Sequence, residues 1–198
     1  MSSVEKLSQK EKSLIAAAAS ITSGCLPCTV HHLKSVRETG ATEAEVLEAI
    51  DIALGVRKNA TNIIAEAAQG NPNREYLMEE YVGPLKQPVI ELVSIGAALA
   101  CNYGDGLEGY LTRARAAGAT TLQIKIAARI ARAIRKEAEE KAEALFEYAI
   151  KPTGVKTDEQ PEGCCQQGDN RQRKQSDENG STNAEKEKES NQPSCGCS

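Results

Sequence analysis

Between Met1 and Lys151 short polar stretches separate apolar blocks such as SLIAAAASI, VLEAIDIAL and ELVSIGAALA, and no strand-like pattern competes with a helical reading. Ser8 with Glu11 forms a capping box before the first block, and Thr42 with Glu45 forms another before the second. Gly40 and Gly118 stand where helices end. The pattern predicts helices over 9–22, 26–39, 43–69, 75–82, 88–101, 105–117 and 121–148, an all-α domain. It stops abruptly afterwards. From Lys156 to Ser198 there is no Leu, Ile, Val, Met, Phe, Tyr or Trp, and Ala184, Pro161 and Pro193 are the only apolar side chains besides the cysteines. Such a segment has too little apolar surface to offset its ordering entropy, so residues 152–198 read as a disordered polar tail behind a helical domain of residues 1–151.

The domain repeats itself. A shift of 78 residues lays SLIAAAASITSGCLPCTVHHLKSVRETGATEAEVLEAIDIALGVRKNA on ELVSIGAALACNYGDGLEGYLTRARAAGATTLQIKIAARIARAIRKEA without a gap. Leu33 meets Leu111, Gly40-Ala41-Thr42 meets Gly118-Ala119-Thr120, and Arg57-Lys58 meets Arg135-Lys136. Shared alanine content would scatter matches, whereas these turn and charge pairs fall in register. The first copy covers about residues 8–70 and the second about 88–148. They differ at a few chemically telling places: Cys25 aligns with Tyr103, Cys28 with Gly106 and His32 with Tyr110. One copy keeps thiols and histidine and the other is degenerate.

Composition narrows the partners. The 198-residue chain is 40% hydrophobic and 26% charged with a formal net charge of -4, which gives no basic excess for nucleic acid. Scarce aromatics and abundant alanine favour close helix packing. No apolar run reaches the length of a membrane span, and the first residues lack a secretory core, so the expected location is the cytoplasm. There, seven cysteines read as reduced, catalytic or metal-binding thiols rather than a disulfide framework.

The chemistry gathers in GCLPCTVHH, residues 24–32, which holds two thiols and both histidines of the chain. Pro27 suits a first helical turn, placing Cys25 at a helix start, and spacings of three and four put Cys25, Cys28 and His32 on one face. A helix N-terminus favours thiolate, and a nearby imidazole can take the thiol proton. Cys28 then has a base one turn away, and Cys25 can close a disulfide with an oxidised Cys28. His31 is the second candidate base. A zinc site would need a further C-x-x-C or H-x-x-x-H, which the domain lacks, and four ligands on one short helix fit a tetrahedron poorly. Buried structural cysteines beside a satisfied histidine remain the plain alternative. Cys101, in an apolar helix, is expected in the core.

GCLPCTVHHLKSVRETGATEAEVLEA resembles the alkylhydroperoxidase D-like branch of the carboxymuconolactone decarboxylase family, whose pattern is G-C-x-x-C-x-x-x-H, a helix, then G-A-T/S and an acidic helix start. The resemblance implies an all-helical fold, assembly into trimers or hexamers with a homotrimer favoured, and a two-cysteine peroxidase without a cofactor. It makes Cys28 the peroxide-attacking thiol, Cys25 the resolving thiol and His32 part of a proton relay. The implied partners are a hydroperoxide substrate and an external dithiol or disulfide reductant, with neither nucleic acid nor membrane. Peroxidase members of that branch often carry a glutamate twelve residues before the first cysteine. Here that place is Ser13, while Glu11 lies about 200° around the helix in its capping box. The second copy has Glu91 at the matching position. Either the thiols work through Ser13 and water, or Glu91 reaches them across an interface; the first is preferred, because the repeat puts Glu91 in the degenerate site.

The tail holds four more thiols, Cys164, Cys165, Cys195 and Cys197. Soft thiolate pairs suit a metal or metalloid, and a C-x-C pair can exchange with a disulfide. Three readings therefore stand: a hydroperoxide-reducing thiol–disulfide oxidoreductase, a thiol-based metal binder or redox sensor, and a structural helical oligomer.

Overall fold

The computed structural model describes residues 6–70 and 81–151. These form six helices: α1 (Gln9–Ser23), α2 (Leu26–Glu38), α3 (Glu43–Ala68), α4 (Gln87–Ala100), α5 (Gly104–Ala116) and α6 (Thr121–Ala149). No strand occurs among the described residues, so the all-α class holds. The helix expected over 75–82 falls almost wholly outside the described residues, and Tyr81 and Val82 at its end are not helical. The tail also lies outside them.

Helix starts follow the local chemistry. Ser8 N–H donates to Glu11 Oε2 (2.7 Å) while Glu11 N–H donates to Ser8 Oγ (3.2 Å), and Thr42 with Glu45 repeats the arrangement. Thr120 with Gln123 completes a third box at α6. The turns repeat as well. Gly24, after α1, has φ 76°, and Asn102, its counterpart after α4, has φ 60°, a conformation open to glycine and tolerated by asparagine. Arg57 Nη1 donates to Thr22 O (2.6 Å) at the first turn, and Arg135 Nη1 bonds Asn102 Oδ1 at the second.

The centre is the pair α1 and α4. Ser13 through Ser20 of α1 and Val89 through Ala98 of α4 are buried, so both helices are surrounded on every side. Alanine and glycine permit the close approach: a Cβ built on Gly96 would stand 2.7 Å from Ile15 Cγ2. Three hydroxyls in this interior find acceptors. Thr22 Oγ1 donates toward Ala97 O (3.0 Å) across the two helices, and Ser20 and Ser94 donate to carbonyls of their own helices. Helices α3 and α6 each pack against both central helices, while α2 lies on α1 and α5 on α4. Glu48 Oε2 accepts the Leu85 N–H (2.7 Å), tying the segment that enters α4 to α3.

The α1–α4 approach predicts that Gly96→Ala is destabilising although alanine is the better helix former by about 1 kcal/mol. Overpacking against Ile15 costs roughly 1–3 kcal/mol, so urea unfolding should show a net loss of up to about 2 kcal/mol.

Candidate thiol site

Gly24 ends α1 and turns the chain so that Cys25 becomes the N-cap of α2, with Pro27 in the first turn. The Cys28 N–H donates to Cys25 Sγ (3.3 Å), the role a serine or aspartate oxygen usually plays at this position. Cys25 and Cys28 are joined as a disulfide. The two sulfurs meet different surroundings: Cys28 is 1% exposed, whereas Cys25, at 9%, lines a cavity of about 730 Å³ that Cys28 does not line. Leu26, Pro27 and Leu145 give this cavity apolar wall, and Arg135 and Lys141 give it cations.

His32 follows Cys28 by one turn, half-buried, and His31 is exposed with its ring 5.0 Å from that of His32 in an edge arrangement. Burial holds the His32 imidazole below its ordinary 6.5, helped by repulsion from His31 and Lys141 and opposed by Glu137. Its Nε2 is buried with no hydrogen-bond partner among the described residues. The imidazole is thus held in its neutral, proton-accepting form near neutral pH.

Two further residues reach this place from α6, in the second copy. Lys141 Nζ lies 3.7 Å from Cys28 Sγ and 2.8 Å from Glu137 Oε1. The hydrogen bond from Lys141 keeps the Glu137 carboxyl below the usual carboxylate range. Sequence reasoning missed this pair, because Glu137 and Lys141 one turn apart read as a solvated helix face. The available signal was the repeat itself: the aligned positions in the first copy are Asn59 and Ile63, so the charges are peculiar to α6.

The expected relay positions lie elsewhere. Ser13 is buried on α1, and among the described residues no hydrogen bond joins it to His32 or to either sulfur. Glu91, 1% exposed, accepts from Arg113 Nε (2.8 Å) and from Gln87 Nε2 (2.7 Å), with Oε2 buried and unpartnered. About 13 Å of helix separates it from Ala100, which lines the cavity beside Cys25. Glu91 is therefore committed to the second copy rather than to the thiols. That copy is filled. The Tyr103 ring occupies the space a Cβ at Gly106 would need, it meets Tyr110 edge-on at 6.5 Å, and Arg113 lies 5.0 Å over the Tyr110 ring. Burial pushes the Tyr110 hydroxyl up to about 12, leaving it no acid–base role near neutral pH. Cys101 caps α4 half-buried against the core rather than fully within it, and burial pushes its thiol up. The four tail thiols lie outside the described residues. No group of three or more His, Cys, Asp or Glu is placed to hold a metal among the described residues.

The fold and site define a two-copy helical protein with a dithiol at a helix start in one copy. Residues 1–68, which include that dithiol and His32, match the model of the carboxymuconolactone decarboxylase family, within which the alkylhydroperoxidase D-like branch falls. Comparison with curated proteins and with solved structures found no match. Among the described residues, no helix is long and apolar enough to cross a membrane.

The lowered His32 value has a definite sign for stability. The unfolded chain binds this proton more tightly, so the histidine favours folding above 6.5 and that contribution is lost as pH falls through the folded value. An NMR titration of the ring Cε1–H should give His32 a midpoint below 6.5, and the stability difference between wild type and His32→Gln should shrink on acidification through that region. Glu91→Gln should leave the alkylation rate of Cys28 unchanged while destabilising the fold by roughly 1–3 kcal/mol through the weakened Arg113 contact.

Proposed function

We propose that the protein is a thiol–disulfide oxidoreductase of the alkylhydroperoxidase type. The observation that carries this reading is the pairing of Cys25 with Cys28 at the start of α2, one turn ahead of a neutral, half-buried His32. In the reduced enzyme His32 takes the Cys28 proton. The thiolate attacks one oxygen of a hydroperoxide, the O–O bond breaks, and the departing alkoxide takes up a proton to become an alcohol. Cys28 is left as a sulfenic acid, with which the Cys25 thiol condenses, releasing water and forming the disulfide. An external dithiol restores both thiols. The family match supports thiol chemistry on this scaffold, and the Ser13 position means that the relay here runs without the glutamate of the branch's peroxidases. Exposed Leu47 and Leu54, two turns apart on α3, are in keeping with assembly of copies into a homo-oligomer.

Steady-state turnover of hydrogen peroxide and of an organic hydroperoxide, with a dithiol as reductant, tests the proposal. Cys28→Ser should abolish turnover, His32→Ala should lower it by about 10²–10⁴-fold, and a chain ending at Lys151 should retain it. Absence of Cys28-dependent turnover with every hydroperoxide and dithiol tried would sink the peroxidase reading. Stoichiometric metal that disappears on truncation would favour the binder instead.

A further inference from the structure

We propose that Lys141, carried by the second copy, is the cation that holds Cys28 as the thiolate and as the leaving group of the disulfide. The inference rests on the thiol–disulfide reading above, and on three observations. Lys141 Nζ lies 3.7 Å from Cys28 Sγ. The backbone N–H of Cys28 itself is taken by the other sulfur, since it points at Cys25 Sγ. The cavity opens on Cys25 and not on Cys28.

Together these give the disulfide a direction. A reductant thiolate arriving through the cavity meets Cys25 Sγ first and forms a mixed disulfide there as the Cys25–Cys28 bond breaks. The bond's electron pair leaves on Cys28, next to the Lys141 ammonium. The second thiol of the dithiol, once deprotonated, attacks its own sulfur in the mixed disulfide and releases Cys25 as thiolate, which takes that proton. Two electrons pass from the dithiol to the pair, and Cys28 emerges charged and ready for an oxidant.

The other charges around the site sort consistently. On α2, His32 follows Cys28 by one turn with the exposed His31 ring beside it; on α6, Glu137 holds the lysine at 2.8 Å and acts on His32, and Glu139 lines the cavity. Arg135 is engaged with Asn102, and Arg57 of α3 with the Thr22 carbonyl at the turn before Cys25. Among these groups Lys141 alone is a cation in hydrogen-bond contact with the Cys28 sulfur.

The test is the pH profile of Cys28 alkylation by iodoacetamide in the full chain, resolved by mass spectrometry, in a Cys25→Ser background that cannot form the disulfide. Lys141→Met should lower the alkylation rate near neutral pH by about tenfold and move the profile to higher pH. Lys141→Arg should restore most of the rate. The Lys141 side chain is 39% exposed, so Lys141→Gln offers a second neutral variant should methionine disturb the helix, with the same expected shift. Profiles for both neutral variants that overlay that of the parent, with circular dichroism unchanged, would overturn the proposal, as would failure of arginine to restore the rate. Alkylation reads the thiolate whether or not a hydroperoxide is turned over, so a chain without peroxidase turnover leaves this test intact.

Discussion

Everything in this protein depends on how closely α1 and α4 approach. Gly96 against Ile15 and the Thr22 hydroxyl on the Ala97 carbonyl bring two small-residue helices near enough to be wrapped by the other four. Because α1 and α4 occupy equivalent positions in the two copies, the long helices α3 and α6 have no private partner, and each packs on both. That sharing carries the far half of α6 over the start of α2. A looser central pair, with bulkier residues in place of the alanines, would separate the copies and take Lys141 away from Cys28.

The same shared geometry explains how one copy can lack the dithiol without collapse. Removing a cysteine side chain from a buried helix start leaves a void, and voids in cores cost stability in proportion to their volume. In the second copy Gly106 replaces the inner cysteine, and the Tyr103 ring, from the N-cap position, fills the space. Glu91 with Arg113 and the Tyr103–Tyr110 contact complete the plug. A buried carboxylate is tolerable there because a guanidinium answers it. In the first copy Ser13 replaces that carboxylate, and no guanidinium is needed, since Ser35 stands at the Arg113 position.

Local signals made most of the fold legible. Capping boxes, the turn glycines and the 78-residue register mark five of the six helix starts or ends directly, because each is a contact between residues a few positions apart. The dithiol was legible for the same reason, since Cys25, Pro27, Cys28 and His32 all lie within two turns of one helix. What escaped was set by tertiary packing. Nothing local to KEAEEKAEA tells that Glu137 and Lys141 lie over another helix's N-terminus, because an acid and a base at spacing four also stabilise an ordinary exposed helix. The environment of Glu91 was half legible: the register assigned it to the second copy, but Arg113 as its partner required the packing of α4 on α5.

The geometry also revises the electrostatic argument for a helix-start thiolate. From sequence, the N-terminus of α2 favours negative charge on either cysteine. In the folded protein the Cys28 N–H is spent on Cys25, and the helix offers Cys28 its diffuse field, worth about 0.3–1 kcal/mol near an exposed end. Cys28 is 1% exposed, and burial works against its thiolate, by several kcal/mol for a fully desolvated ion. The helix alone loses that contest. A nearby imidazole can remove the proton, but a protonated His32 is disfavoured by its own burial and by repulsion from His31 and Lys141. On the proposal above, a lasting thiolate at Cys28 depends on the Lys141 ammonium at short range, and α6, which brings it, comes from the copy that lacks the dithiol.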